Sequence, residues 1–253
     1  MSTRIPWAQE TWNPITGCTQ ISDACLNCYA KTLAETRLRG RAGYSKATPF
    51  KPRKHRGRLH DPFNWKSGKV IFPVSMGDLY HKDIDDDFIV EIFDTMNRSP
   101  QHKYLVLTKR PERALKISKL LRRIGRPSGP HILHGTTIER QKYVKRRLRY
   151  LLRIPGTRFI SAEPLLEPIN VEEFLGVGID WVIAGCEKIR RSPGRPISDA
   201  ALRSLRDQCK RTGVPFFLKQ KVINGQVRVM PELDGRIHNA APEILRSLEG
   251  ANV

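Results

Sequence analysis

The chain has 253 residues, with 45 Lys and Arg against 25 Asp and Glu, a net charge of +20. That length can bury a full core in one large α/β domain or two small ones, and its evenly spread apolar residues argue against disorder. No apolar run is long enough to cross a bilayer and the opening MSTRIPWAQE has no apolar signal-peptide core, so a soluble, cytoplasmic protein without a membrane partner is expected.

In chain order, residues 11–20 (TWNPITGCTQ) read as a strand running into a loop. Residues 25–38 read as a helix with Leu26, Tyr29, Ala30, Leu33 and Leu38 roughly along one face. Residues 37–60 carry Arg37, Arg39, Arg41, Lys46, Lys51, Arg53, Lys54, Arg56 and Arg58 with no acid and several glycines and prolines. They predict an exposed basic excursion, drawn to residue 68.

From residue 70 a rhythm sets in. Strand-length apolar runs at 70–74, 104–108, 132–136, 158–162, 181–184 and 215–219 alternate with helical patterns at 85–98, 111–124, 139–153 and 198–212, and a shorter one near 170–176. Continuous apolar runs are the mark of buried parallel strands, and the alternation predicts α/β architecture with right-handed crossovers. Six to seven strand–helix units imply a complete or partial (βα) barrel over residues 1–221, with a doubly wound open sheet as the alternative; no Gly-rich nucleotide fingerprint follows the first strand. Residues 222–230 predict a hairpin turning at Asn224-Gly225, and a short helix near 241–249 closes the same domain.

Five cysteines is an odd count, and three lie within eleven residues as C-x6-C-x2-C at Cys18, Cys25 and Cys28. Without a secretory signal a metal site fits better than a disulfide framework. Zinc in a closed site takes four protein ligands. Three thiolates without a fourth nearby instead suit a 4Fe-4S cluster with one iron open to an outside ligand. Unligated thiols are the remaining reading. Cys186 ends an apolar run and reads as a fourth ligand, a reactive thiol or a small packed residue, while Cys209 reads as a buried helix residue. The basic surplus predicts a polyanionic partner, with nucleic acid the usual one.

Further motifs resemble a known family. Trp12-Asn13-Pro14, Thr16-Gly17-Cys18, Ser22 and Cys25-x-x-Cys28-Tyr29-Ala30 are similar to the signature of a phage-associated three-cysteine protein family of the radical S-adenosylmethionine (SAM) superfamily. The resemblance continues through Ser75-Met76-Gly77-Asp78-Leu79-Tyr80-His81, Leu107-Thr108-Lys109-Arg110-Pro111-Glu112-Arg113, Glu163-Pro164-Leu165-Leu166, Asp180-Trp181-Val182-Ile183 and Pro215-Phe216-Phe217-Leu218-Lys219-Gln220. It spans roughly residues 7–220. The chain departs from the common radical SAM pattern C-x3-C-x2-C in its first gap of six. Asn27 stands where an aromatic residue is usual, Tyr29 follows instead, Ala24 precedes the second cysteine, and Gly185-Cys186-Glu187 replaces the family's Gly-Gly-Glu.

The resemblance implies a cluster on the three cysteines whose free iron binds SAM, reductive release of a 5′-deoxyadenosyl radical, and an external electron donor. Polar residues at strand ends are the natural supporting cast. Tyr29, Ser75, Asp78, Thr108, Thr137, Glu139, Glu163 and Glu187 are the cofactor-binding candidates; Lys109, Arg110, Glu163 and Cys186 are the catalytic ones. Lys219 and Gln220 end the seventh strand. Asp78 and Thr137 have helix caps as their plainer role, and Glu139 with Arg110 a solvated ion pair. Arg37, Arg39, Arg41, Lys51, Arg53, Lys54, Arg56 and Arg58 would guide a phosphate backbone, with Tyr44, Phe50, Phe63 and Trp65 either stacking bases or packing on the domain. The expected activity is modification or repair of nucleic acid. The alternatives are a non-catalytic metal-stabilised nucleic-acid-binding protein and a radical SAM enzyme acting on a peptide or small metabolite.

Overall fold

A computed structural model describes Thr3, residues 5–189 and residues 194–246. The chain divides into two compact units, Met1–Leu133 and His134–Val253.

The first unit contains β1 (Glu10–Trp12), β2 (Ile15–Thr16), α1 (Tyr29–Glu35), β3 (Arg53–Lys54), β4 (Val70–Pro73), α2 (Asp86–Asn97), β5 (Lys103–Thr108) and α3 (Pro111–Arg123), and opens β6 (Ile132–Thr137). β1 and β4 pair in parallel from Glu10↔Ile71 to Trp12↔Pro73, and β4 pairs in parallel with β5. β2 and β3 form a small antiparallel pair that ties the cysteine loop to the basic excursion. Local chemistry sets the helix ends. The Asp85 carboxylate accepts from Phe88 N at the start of α2, where Asp86 and Asp87 meet the positive end of the helix dipole. Pro111 opens α3, a position that needs no backbone donor, and Arg122 and Arg123 sit in its last turn.

The second unit holds the rest of β6, then α4 (Gln141–Leu151), β7 (Arg158–Ala162), β8 (Trp181–Gly185), α5 (Asp199–Thr212), β9 (Phe216–Ile223), β10 (Gln226–Val229), β11 (Glu232–Leu233), β12 (Arg236–Ile237) and α6 (Glu243–Arg246). β6, β7, β8 and β9 pair in parallel in that order, and β10 adds antiparallel. The Ser198 hydroxyl caps α5, and Gly213 ends it in the left-handed region at φ 69°. Strands β7 and β8 are buried almost throughout, as parallel strands covered on both faces must be.

The predicted α/β architecture is therefore present. Within each unit the parallel strands follow one another in chain order, β1–β4–β5 in the first and β6–β7–β8–β9 in the second, the sequential order of a (βα) barrel and not that of a doubly wound sheet. The predicted hairpin is β9–β10, with Asn224 at φ 50° and Gly225 at φ 72°. Two expectations change. The helix over 25–38 is a 3-10 turn at Asp23–Cys25 followed by the shorter α1, and the pattern near 170–176 is a 3-10 turn at Glu172–Phe174. Gly176 and Gly178 follow at once, and a helix there would lose the backbone entropy glycine carries. Of the closing helix, Glu243–Arg246 is helical and residues 247–249 lie outside the described residues. No helix among the described residues is long and apolar enough to cross a membrane.

Candidate functional site

The three cysteines sit on the loop between β2 and α1, and backbone contacts fix where that loop runs. Gly17 N donates to Met76 O at 2.8 Å and Cys18 N to Phe50 O at 3.1 Å. Gly17 has φ +85°, and a Cβ built there would lie 2.4 Å from Lys51 O, so only glycine admits this approach. Gly77 is the matching position on the loop after β4, where a Cβ would meet Gly17 O at 2.8 Å. Val74, just after β4, is a β-branched residue at φ 58°, a strained conformation held by its N–H bond to Trp12 O.

Asp78 is the centre of the network beside this loop. It is buried, and its Oδ1 accepts from Thr108 Oγ1 at 2.8 Å and Tyr80 N at 3.0 Å. Its Oδ2 accepts from Arg110 Nη1 at 2.8 Å and Lys109 N at 3.3 Å. Arg110 then reaches the cysteine loop: Nη1 donates to Cys18 Sγ at 3.3 Å and Nη2 to Thr19 O at 2.9 Å. His81, fully buried, accepts at Nδ1 from Asp83 N, which leaves Nε2–H to donate to Thr19 Oγ1 at 2.9 Å. Burial, joined by the Arg110 charge, lowers the His81 pKa and keeps the ring neutral. On the other flank, Tyr29 OH donates to Ser75 O, and Ser75 Oγ donates to Asn13 Oδ1 at 3.2 Å.

The three thiols are half-buried and free, and each has its own surroundings. Burial, then the Asp78 carboxylate, pushes Cys18 up to about 11 against the pull of Arg110. For Cys25 burial raises the pKa, but the Lys109 charge, the Ile21 and Ser22 backbone and the Ser22 hydroxyl together bring it below the ordinary thiol value. Ser22 Oγ and Cys25 Sγ are 3.7 Å apart. Cys28 stands at the N-cap position of α1, without a side-chain capping bond, and packs against the cluster of Ala30, Ala34, Tyr44 and Met76. Among the described residues no three His, Cys, Asp or Glu side chains stand close enough to share one metal ion.

The remaining candidates lie in the second unit. Glu163 follows β7, and its Oε1 accepts from Lys219 Nζ, the two side chains keeping 13% and 20% of their exposure. A Cβ on Gly185 would lie 3.0 Å from Glu163 Cγ and 3.2 Å from Gln220 Cγ, so the glycine makes room for both. Cys186 is buried beside them, with N donating to Gln220 O and O accepting from Gln220 Nε2. Burial, then the Glu163 charge, pushes its thiol up to about 11, which suits a packed thiol better than a nucleophile. Glu187 is taken by Arg195, whose N and Nε donate to its Oε2 at 3.0 and 2.9 Å. Glu139 is fully buried and closed by Arg147, which also donates to Thr137 O at 2.6 Å. The ion pairs are thus Glu139–Arg147 and Asp78–Arg110, rather than Glu139 with Arg110. Cys209 is buried on α5, as the sequence implies.

The basic excursion is divided. Arg37, Arg41 and Lys51 are exposed. Arg39 is held on Lys46 O and Arg53 on Thr48 Oγ1. Lys54 pairs with Asp85, Arg56 with both oxygens of Glu91, and Arg58 donates to Asn13 O and Ala42 O. Tyr44 is buried and Phe50 packs against its cluster, while Trp65 meets His102 edge-on and Phe63 lies under Arg98. Of the two roles expected for the aromatics, Tyr44 and Phe50 take the packing one.

The family described as "Protein of unknown function (DUF5131)" matches residues 2–242. The chain belongs to that family. No curated protein matches it. Among solved structures it is similar to a spore photoproduct lyase mutant with bound AdoMet and dinucleoside spore photoproduct, at 14% identity and a TM-score of 0.48, with 90% of this chain and 69% of that one covered.

Sequence reasoning missed three participants in this DUF5131 site. Thr19, His81 and Asn13 orient the loop through side-chain hydrogen bonds across 62 or more residues.

Proposed function

We propose that this protein is a radical SAM enzyme whose 4Fe-4S cluster is held by Cys18, Cys25 and Cys28, and that it modifies or repairs nucleic acid. The observation that carries the reading is the Cys18–Arg110–Asp78 chain: a charged network built at the ends of β4 and β5 and aimed at a thiol. A helix cap or a solvated ion pair would not need a guanidinium bonded to sulfur. The donor set fits the group. Three free thiols on one loop fall short of the four ligands of a closed zinc site. They meet the count for a cluster with one iron left open, and sulfurs bound to different irons need not converge on one point. The resemblance to the phage-associated three-cysteine family supports the same assignment.

When bound, such a cluster supplies the electron that cleaves SAM. The chain's own residues do the rest. Arg110 holds the Cys18 sulfur, Asp78 holds Arg110 and the Lys109 backbone, and Gly17 fixes the loop's path. Lys109 places an ammonium near Cys25, where it suits the SAM carboxylate by a charge-assisted bond. The half-open Glu163–Lys219 pair offers a carboxylate and an ammonium to a hydroxylated ligand. The test is anaerobic reconstitution followed by metal analysis and assay for 5′-deoxyadenosine in the presence of dithionite and SAM. Iron, sulfide and SAM cleavage are expected. Stoichiometric zinc without SAM cleavage would favour the metal-stabilised binding protein.

A further inference from the structure

The basic excursion spends much of its charge on fixed partners, whereas helix α4 carries a run of cations on an exposed face. From residue 140 to 162 the chain carries eight Lys or Arg and no acid. On α4 the apolar side, Tyr143, Val144, Leu148 and Leu151, is buried. Lys142, Lys145, Arg146 and Arg149 are exposed on the opposite side, and exposed Arg153 continues them past the helix end. Their spacing of three and four residues stacks the charges one turn apart, a rise of about 5.4 Å per turn.

Two observations separate this face from an ordinary solvated one. Lys145 within it has only a weak countercharge, Glu173 at 3.7 Å, with both side chains largely exposed, 81% and 62%. The face is also ordered in advance by aromatic contacts. Arg149 lies 4.7 Å from the Tyr150 ring centre and Lys142 5.1 Å from that of Tyr143, while Arg149 Nη2 donates to Tyr150 OH. The one buried cation, Arg147, is neutralised by Glu139 and so belongs to the scaffold.

We propose that the outer face of α4 is a docking surface for the phosphodiester backbone of a nucleic acid. The row Lys145, Arg146, Arg149 and Arg153 is complementary to a row of phosphates, and binding releases the counterions condensed on the polymer. A membrane surface fits less well, because an interfacial helix must expose its apolar side and that of α4 is covered. The inference stands apart from the cluster chemistry, since it concerns binding alone.

The test measures fluorescence anisotropy of a labelled single-stranded oligonucleotide over a range of KCl concentrations, for the full chain and two triple variants of equal charge change. Lys145→Gln with Arg146→Gln and Arg149→Gln is expected to lower the slope of log K against log salt by about 2. Arg37→Gln with Arg41→Gln and Lys51→Gln is expected to lower it by less than half as much. The charge-keeping pair Arg146→Lys with Arg149→Lys should retain the parent slope, which separates loss of charge from loss of fold. Equal effects of the two triple variants, a larger effect of the excursion variant, or binding of anionic phosphatidylserine vesicles without binding of the oligonucleotide would each overturn the proposal.

Discussion

Replacing Asp78 with Asn keeps the shape of the side chain and reverses half of its chemistry. The retained carbonyl oxygen can still accept from Thr108 Oγ1 and Tyr80 N. The new amide instead faces two donors, Arg110 Nη1 and Lys109 N, where the carboxylate oxygen accepted from both. Arg110, with 14% of its side chain exposed, is left without its carboxylate. Removing one partner of a buried pair costs about 3–5 kcal/mol, and Arg110's remaining bonds to Thr19 put this case at the lower end, about 3 kcal/mol. If that loss falls on the cysteine loop, Cys18 should become about a hundredfold more accessible through local opening. The assay is pulsed alkylation of the metal-free protein, with Cys18 modification read by mass spectrometry. The double variant Asp78→Asn with Arg110→Gln should be little worse than Asp78→Asn alone, since the two residues act as one unit. Alkylation of Cys18 within twofold of the parent in Asp78→Asn would refute the reasoning.

Two further effects are open to direct test. Gly17→Ala should lower thermal stability by more than about 2 kcal/mol, from its left-handed φ and the contact with the fixed Lys51 carbonyl. Gly213→Ala, at φ +69° with nothing within 4 Å, should show only the backbone part, about 1 kcal/mol, by the same calorimetric comparison. His134 supplies a pH dependence: burial, then the Arg158 charge, lowers its pKa to about 4. The unfolded chain then binds a proton that the folded chain refuses between about pH 6.5 and 4, so stability is intact above that window and falls as pH drops through it, by about 3 kcal/mol in all. Urea unfolding across the window should show a shallower loss for His134→Gln than for the parent by about 1.4 kcal/mol per pH unit, and parallel curves would contradict the assignment.

The fold was legible where the physics is local. Continuous apolar runs predict β5, β6, β7 and β8 within a residue or so of their ends, because a strand buried on both faces leaves no alternation to misread. The β9–β10 turn was written in Asn224-Gly225. The charged loops were harder. Lys54, Arg56 and Arg58 look like the rest of the excursion in sequence, yet Lys54 and Arg56 find carboxylates 31 and 35 residues away, at the cap of α2 and on it, and Arg58 reaches Asn13 O 45 residues back. Periodicity carries no information about such pairs. The same holds at the cysteines: their spacing announces a thiol cluster, but the bond from Arg110 to Cys18 joins residues 92 apart. Glu139 makes the same point at shorter range: its partner Arg147 lies eight residues on, beyond the three- and four-residue spacing that pairs side chains along a helix, and it turns the carboxylate from ligand candidate to scaffold.

The measurement that tests the central claim most directly is low-temperature EPR of the anaerobically reconstituted, dithionite-reduced protein, with and without SAM. The account predicts a four-iron signal that SAM perturbs and that Cys28→Ala abolishes. A colourless, EPR-silent protein holding stoichiometric zinc would contradict it.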